Sequence, residues 1–336
     1  MRDSRQRPRK RSTLLLTRRD IERSIDMRRA IGIVEKAFAA HGNGGVRMPP
    51  KIYLHLGEFG GDFRAMPACV MCTAACGVKW VNVHPLNRRL GLPAVMEMII
   101  LSDPRTGYPL AVMDGTQITN LRTGAAGAVA AKYLANKFSS RVGFVGCGIQ
   151  ARFQLSGIAS LFRIGSVRAF DTDRVSAERF ARFARTLGYD AKRCDTVEEC
   201  VSGKDIVVTT TPSRKPLVRR AWIGAGTHIN AIGADARGKE ELEPSILNAS
   251  RVVVDDATQA MHSGEINVPV SRGEFRESGI YSTLGLIISG RKRFTRRDSD
   301  ITVFDSTGLA IQDIAVASYI YERRARDRNV RRIPFI

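Results

Sequence analysis

Gly146, Cys147, Gly148 and Ala151 stand at the spacing G-x-G-x-x-A directly after the apolar run "RVGFV", and the segment "IQARFQLSGIASLF" that follows reads as a helix. A glycine at the first position permits a tight turn, one at the second admits a diphosphate close to the backbone, and a small third residue keeps helix and sheet together. The helix start then offers unpaired N–H groups and the positive end of its dipole. Asp171 ends the next apolar run, about 20 residues beyond Ala151, where a carboxylate accepts from the adenosine ribose hydroxyl and repels a 2′-phosphate. These residues point to NAD rather than NADP. The competing reading of Asp171 is a turn residue leading into "TDRVSAERF".

The elements that must hold this loop are legible around it. "SVRAFD" before "SAERFARFARTLG", and "DIVVTTT" after "TVEECVSG", repeat the strand and helix alternation, and "GTHINAIGAD" and "SRVVVDD" add further strands. Such alternation implies a parallel sheet covered on both faces. Upstream, "KIYLHL", "ACGVKWVNVH", "AVMEMIILSD" and "YPLAVMDG" read as strands of an antiparallel sheet, the last two joined by a hairpin at "SDPRTGYP". The small-residue segment "TQITNLRTGAAGAVAAKYLANK" is expected to pack closely as a helix, with Thr119 or Asn120 capping a turn. A last helix is expected to start at Ser306 or Thr307. The fold class is therefore α/β, a doubly wound Rossmann domain joined to an α+β domain.

Composition narrows the field. With 336 residues and 43% apolar content the chain can build two cores. Its apolar runs fall short of the roughly 18 residues of a membrane helix, and Glu97 breaks the best of them. "RKRSTLLLTRRD" has too short an apolar centre for a signal peptide, so a cytoplasmic location is expected. Cys69, Cys72 and Cys76 lack a second His/Cys group to complete four ligands and read as small core residues, so no metal is expected. The net charge of +20 raises nucleic acid as a ligand. Much of it lies in the amino-terminal "MRDSRQRPRKR" or is scattered, and there is neither an RNP-type aromatic motif nor paired finger spacing. Nucleic acid is set aside.

Together with the glycine loop, "KWVNVHP", "GLPAVMEMIILSDPRTGYPLAVMDGTQITNLRTGAAGA", "TTTPSRKP", "THINAIGADARGKEEL" and "GEINVPVS" give a specific pattern. The chain resembles the ornithine cyclodeaminase/μ-crystallin family, most of all its archaeal-type alanine dehydrogenases, over nearly its whole length. The resemblance leaves out the basic amino terminus, which its charge run marks as a tail over 1–20, expected to be disordered. It also implies a substrate and dimerisation domain over 21–130 plus 306–336, an NAD domain over 131–305, and a homodimer. By the same resemblance Arg47, Lys79 and Arg122 surround a substrate carboxylate, and Asp235 is the acid/base carboxylate. Gly146, Gly148, Ile149, Gln150, Ala151 and Asp171 match dinucleotide contacts, with Arg122, Thr210, Thr211, Ile232 and Ser306 as lining positions.

That chemistry makes sense of the residue types. Oxidising an α-amino acid moves hydride from Cα and leaves an imine, which needs a neutral amine, a proton acceptor and a fixed carboxylate. The planar guanidinium of Arg grips a carboxylate at two points. Lys79 can complete that clamp or exchange protons, and Asp235 is the rival base. The implied reaction is NAD-dependent oxidative deamination of L-alanine to pyruvate and ammonia. Alternatives are cyclisation of ornithine, reduction of a cyclic ketimine, and a crystallin-like protein that binds NAD without turnover. Between Phe63 and Lys79 the chain carries no acid to hold a distal ammonium, with Glu58 and Asp62 just upstream, which favours a small side chain.

Overall fold

The computed structural model describes residues 12–334, residue 88 by its backbone only. In chain order the first elements are β1 (Thr13–Leu16), α1 (Arg18–Glu22), α2 (Met27–Gly42), β2 (Val46–Arg47), β3 (Ile52–Leu56), β4 (Gly61–Val70), β5 (Ala75–Val83), β6 (Val95–Ser102), β7 (Pro109–Asp114) and α3 (Thr116–Leu134). Then come β8 (Arg141–Val145), α4 (Ile149–Ala159), β9 (Ser166–Phe170), α5 (Arg174–Thr186), β10 (Asp190–Arg193), α6 (Val197–Val201), β11 (Ile206–Thr209), β12 (Arg214–Val218) and β13 (His228–Ala231). The rest are β14 (Glu240–Leu242), α7 (Pro244–Asn248), β15 (Arg251–Val254), α8 (Ala257–Ser263), α9 (Asn267–Ser271), β16 (Ile280–Thr283), α10 (Leu284–Ile288), β17 (Thr302–Asp305), α11 (Ala310–Arg324) and β18 (Arg331–Ile333). Two compact units result: residues 12–25, 46–119 and 313–334 form one, and Asp26–Gly45 with Asn120–Gln312 form the other.

The first unit is built on a sheet in the order β18-β1-β7-β6-β5-β4-β2, with β3 also on β4. β3 to β7 are antiparallel neighbours, as their alternation requires. One face carries buried Met66, Lys79, Val81, Ile99, Leu101 and Met113. The other carries rows that register lines up strand by strand: Ile52, Ala65, Trp80 and Met98, then Leu54, Phe63, Asn82 and Met96. β4 does not announce itself in the sequence because Pro67 interrupts it. Pro67 falls between the stretches paired with β2 and β3, so its missing N–H leaves no ladder bond unmade on that side.

The amino-terminal expectation needs correction. Residues 1–11 lie outside the described residues, but Thr13–Leu16 is no part of a disordered tail: it is a strand, parallel to β7 and antiparallel to β18. Its leucines bury inward, with Leu14 and Leu16 nearly inaccessible. Three leucines flanked by charge are enough for one strand between two neighbours.

The second unit is an all-parallel sheet in the order β10-β9-β8-β11-β13-β17-β15-β16. Its central strands are buried throughout and carry an apolar core, with Val142, Phe144, Ile206, Val207, Val208, Ile229 and Val303 all fully buried. Glycines let two helices approach: a Cβ on Gly124 of α3 would strike the Phe153 carbonyl of α4, and one on Gly157 of α4 would strike that of Gly124. The segment Asp26–Gly45, expected with the antiparallel sheet, belongs to this unit, where α2 packs on α10 through Gly42 and Gly285. Thr119 and Asn120 cap nothing; both lie inside α3. The final helix begins at Ala310, because Gly308 with φ +77° breaks helical geometry just before it.

Candidate active site

Lys79 is the most conspicuous charged residue of the first unit. It sits on the buried face of β5 with 1% of its surface exposed. Its Nζ donates to Thr119 Oγ1 at 3.0 Å and to Asp313 Oδ1 at 3.1 Å, and it lies 3.4 Å from Glu97 Oε2. Thr119 also meets Glu97 and lies 3.2 Å from Asp313 Oδ1. The ammonium therefore finds an acceptor for each of its three N–H bonds. Two carboxylates face it, and a buried cation needs at least one such partner. These neighbours differ from the expected cations: Arg47 is exposed, donates to the Val46 carbonyl at 3.2 Å, and does not touch Lys79.

The sequence assigns none of Glu97, Thr119 and Asp313 to the site: Glu97 enters only as the break in an apolar run and Thr119 only as a cap candidate. Glu97 did leave a trace, as the lone acid in an otherwise apolar strand, which is an expensive position unless a partner is present. Asp313 lies in the first turn of α11, far from β5 in sequence.

In the second unit the glycine turn has the geometry its residues imply. Gly146 adopts φ +91°, and a Cβ there would lie 2.8 Å from Thr211 Cγ2 and 2.9 Å from the Thr210 carbonyl, so both backbone and space require glycine. Gly148 differs. It has no left-handed φ, and a Cβ on it would meet nothing within 4 Å. Gly148 is itself the cap residue of α4, so the cap position supplies no side-chain acceptor to the amino-terminal N–H groups. Among the described residues nothing demands glycine at 148, whereas a diphosphate lying over uncapped N–H groups would. The donor set therefore fits a dinucleotide.

The neighbouring positions form part of the same edge. Ala151 is fully buried under the turn, and Ile149 is exposed. Gln150 donates to Asn120 Oδ1 at 2.9 Å while its buried Oε1 has no partner among the described residues. Asp171 accepts from the Cys147 N–H at 2.8 Å and from the Asp173 N–H at 2.9 Å, and the residue that caps α5 is Asp173. Its carboxylate is thus braced against the glycine turn. Thr210 donates to the Gly146 carbonyl at 2.9 Å, and Thr211 donates to Glu241. Ile232 is bonded through its N–H to the Thr209 carbonyl at 3.0 Å, and Ser306 through its N–H to that of Ala231 at 3.0 Å.

Arg122 is buried in α3 and donates to Gln312 Oε1 at 3.3 Å. A Cβ on Gly308 would lie 2.6 Å from its Nη1, so glycine there makes room for the guanidinium. Asp235 is half-exposed and forms an ion pair with Lys239 four residues on.

A model of the ornithine cyclodeaminase/mu-crystallin family matches residues 11–328. The chain belongs to that family. It is 51% identical over 318 residues to the alanine dehydrogenase of Archaeoglobus fulgidus, an alignment that takes in 95% of this chain and 97% of the relative. Among solved structures, an archaeal alanine dehydrogenase dimer with bound NAD superposes with a TM-score of 0.93 at 49% identity, covering 97% of this chain and all of the other. The Thermococcus litoralis Δ1-pyrroline-2-carboxylate reductase in complex with NADH and L-proline follows at TM-score 0.92 and 36% identity, covering 96% and 100%. No helix among the described residues is long and apolar enough to cross a membrane.

Proposed function

We propose that this family member is an NAD-dependent amino acid dehydrogenase that converts L-alanine to pyruvate and ammonia, reversibly. The observation that carries the cofactor is Gly148, a glycine that packing among the described residues does not require, at a helix start whose cap position has no side chain. The likeness to an alanine dehydrogenase across 95% of the chain supports the substrate. Asp171 favours NAD, since a 2′-phosphate would meet its negative charge.

When bound, NAD accepts hydride from the substrate Cα. The parallel-sheet unit would hold it, with Gly146, Gly148, Ile149, Gln150, Ala151 and Asp171 along the adenosine and diphosphate half. Thr210, Thr211, Ile232 and Ser306 would line the strand ends beyond. Arg122 and Arg47 are the groups assigned to the substrate carboxylate. Lys79 and Asp235 are assigned to proton exchange with the amine and with the water that hydrolyses the imine. The three donors of Lys79 already face acceptors, so contact with a substrate carboxylate would require giving one up.

We infer a homodimer formed through the outward face of the antiparallel sheet, where Ile52, Leu54, Trp80 and Met98 leave large apolar surfaces exposed. A cytosolic setting accords with six free thiols.

The test is purified protein with NAD and, separately, alanine, ornithine, lysine and proline, following reduced cofactor, ammonia and products. Alanine is expected to yield NADH, pyruvate and ammonia. Ornithine giving proline and ammonia with no net NADH would replace this reading with cyclodeamination. Net oxidation of NADH by a cyclic ketimine, with no turnover of alanine, would replace it with the activity named for the T. litoralis relative.

A further inference from the structure

Three of the fully buried carboxyl side chains in the parallel-sheet unit, Glu241, Glu265 and Asp305, are linked one to the next, and none belongs to the residues discussed so far as contacts of the cofactor. Glu241 on β14 accepts through Oε1 from the Thr211 N–H at 2.6 Å and the Thr211 hydroxyl at 2.8 Å. Its Oε2 accepts from the Gly233 N–H at 2.8 Å and the Thr209 hydroxyl at 2.7 Å. Those four donors occupy the whole accepting capacity of a carboxylate. A Cβ on Gly233 would lie 2.5 Å from Glu241 Oε1, so the strand ends close tightly on it.

Glu265 comes next. Its Oε1 accepts from the backbone N–H groups of Glu241 at 2.8 Å and Leu242 at 2.6 Å. Its Oε2 is buried without a partner among the described residues. Asp305, at the end of β17, accepts from the N–H groups of Glu265 at 2.8 Å and Ile266 at 3.2 Å. Each carboxyl thus holds the peptide that carries the next: Asp305 holds Glu265, Glu265 holds Glu241, and Glu241 holds the ends of β11 and β13. No ion pair involves any of the three among the described residues. Burial pushes all three up from ordinary carboxyl values, Asp305 to about 8 and Glu265 well above the usual range. Three acids buried without a cation are costly for stability alone.

The sheet order shows what the column faces. β8 ends at the glycine turn, β9 with Asp171 lies on one side of it, and β11, β13 and β17 follow on the other. In a parallel sheet the ligand lies across the carboxyl ends of the strands. With the adenosine at β9, the other half of the dinucleotide extends over the ends of β11 and β13. We propose that Glu241, supported by Glu265 and Asp305, is a positioning residue for the nicotinamide half of the cofactor, fixing Thr211 and Gly233 at the two strand ends beneath it. This rests on the dinucleotide reading above.

The discriminating experiment compares NADH, followed by fluorescence, with ADP-ribose, followed by calorimetry, because ADP-ribose lacks the nicotinamide. In Glu241→Gln one of the two clusters of donors must face an amide NH2, so a strand end loses its acceptor. NADH affinity is expected to fall about tenfold or more, with ADP-ribose held within about twofold of wild type. Thr209→Val removes a single donor with nearly unchanged shape and is expected to give a smaller loss, about threefold, in NADH alone. It carries the test if Glu241→Gln lacks a cooperative unfolding transition. Unchanged NADH affinity, or equal losses for both ligands, overturns the positioning role. Failure of the wild type to bind either ligand sinks the dinucleotide reading itself, a different result from either.

Discussion

Lys79 on β5 and Asp313 in the first turn of α11 are separated by 234 residues, and the lysine ammonium lies 3.1 Å from the aspartate carboxylate with both side chains almost wholly buried. The Lys79 ammonium keeps Glu97 at 3.4 Å when Asp313 is lost, so what is removed is a buried charge-assisted hydrogen bond. Asp313→Asn is therefore expected to lower stability by about 1.5–3 kcal/mol in denaturant titration. If Lys79 exchanges protons, Lys79→Met lowers kcat by about 10²–10⁴ while NADH affinity stays near wild type. Turnover undiminished by Lys79→Met would remove Lys79 from the chemistry.

Gly146 and Gly148, two residues apart, are expected to respond in opposite ways to alanine. Gly146→Ala forces a side chain onto φ +91° and against the Thr210 and Thr211 backbone and methyl, so it is expected to lose stability by about 1–3 kcal/mol. Gly148→Ala adds a methyl to open space and leaves the melting temperature unchanged, but places that methyl where the diphosphate would lie. Its ADP-ribose affinity is expected to fall about tenfold or more. Wild-type affinity in Gly148→Ala would mean that the ligand does not pass over this turn.

What could be read from the sequence follows the range of the physical signal. The parallel sheet and the glycine turn are written locally, in the spacing of apolar residues and in the spacing of Gly146, Gly148 and Ala151 after the strand. β1 was hidden because three leucines between clusters of arginine look like the end of a tail until β7 and β18 supply neighbours. β4 was hidden by Pro67, tolerable only because of where β2 and β3 end. The setting of Lys79 depends on Glu97, Thr119 and Asp313, brought from β6, α3 and α11, and no local pattern joins them. The carboxyl column is harder still to foresee, since Glu241, Glu265 and Asp305 each read as an ordinary surface acid until the backbone N–H groups that hold them are placed.

His228 gives the parallel-sheet unit an acid-sensitive component. It is fully buried on β13, with Nδ1 2.9 Å from Thr302 Oγ1 and Nε2 2.9 Å from Asn230 Oδ1, and burial lowers its pKa to about 3. Between that value and the ordinary 6.5 the unfolded chain binds the extra proton, so the contribution of His228 is complete above about 6.5 and is lost as pH falls towards 3. His228→Gln is expected to be less stable than wild type at neutral pH, and the gap should narrow steadily as pH is lowered from 7 to 4. Denaturant midpoints across that range check it; a gap independent of pH would show that His228 takes up no proton on unfolding.

The outward face of the antiparallel sheet offers the last prediction. Trp80 and Met98 are directly paired across β5 and β6, with 44% and 51% of their surfaces exposed, and Phe63 stacks on Trp80 with ring centroids 5.2 Å apart. Ile52 extends the row on β3. An apolar row across four strands with no cover from its own unit is the surface expected at an association face between two copies. In Trp80→Glu combined with Met98→Glu, two like charges stand opposite each other, and a twofold contact would gather four of them where water is excluded. Light scattering is expected to give twice the chain mass for wild type and the single-chain mass for the double variant, whose inward residues, Lys79 and Ile99 among them, keep their packing. A dimer that survives both substitutions would place the association surface elsewhere.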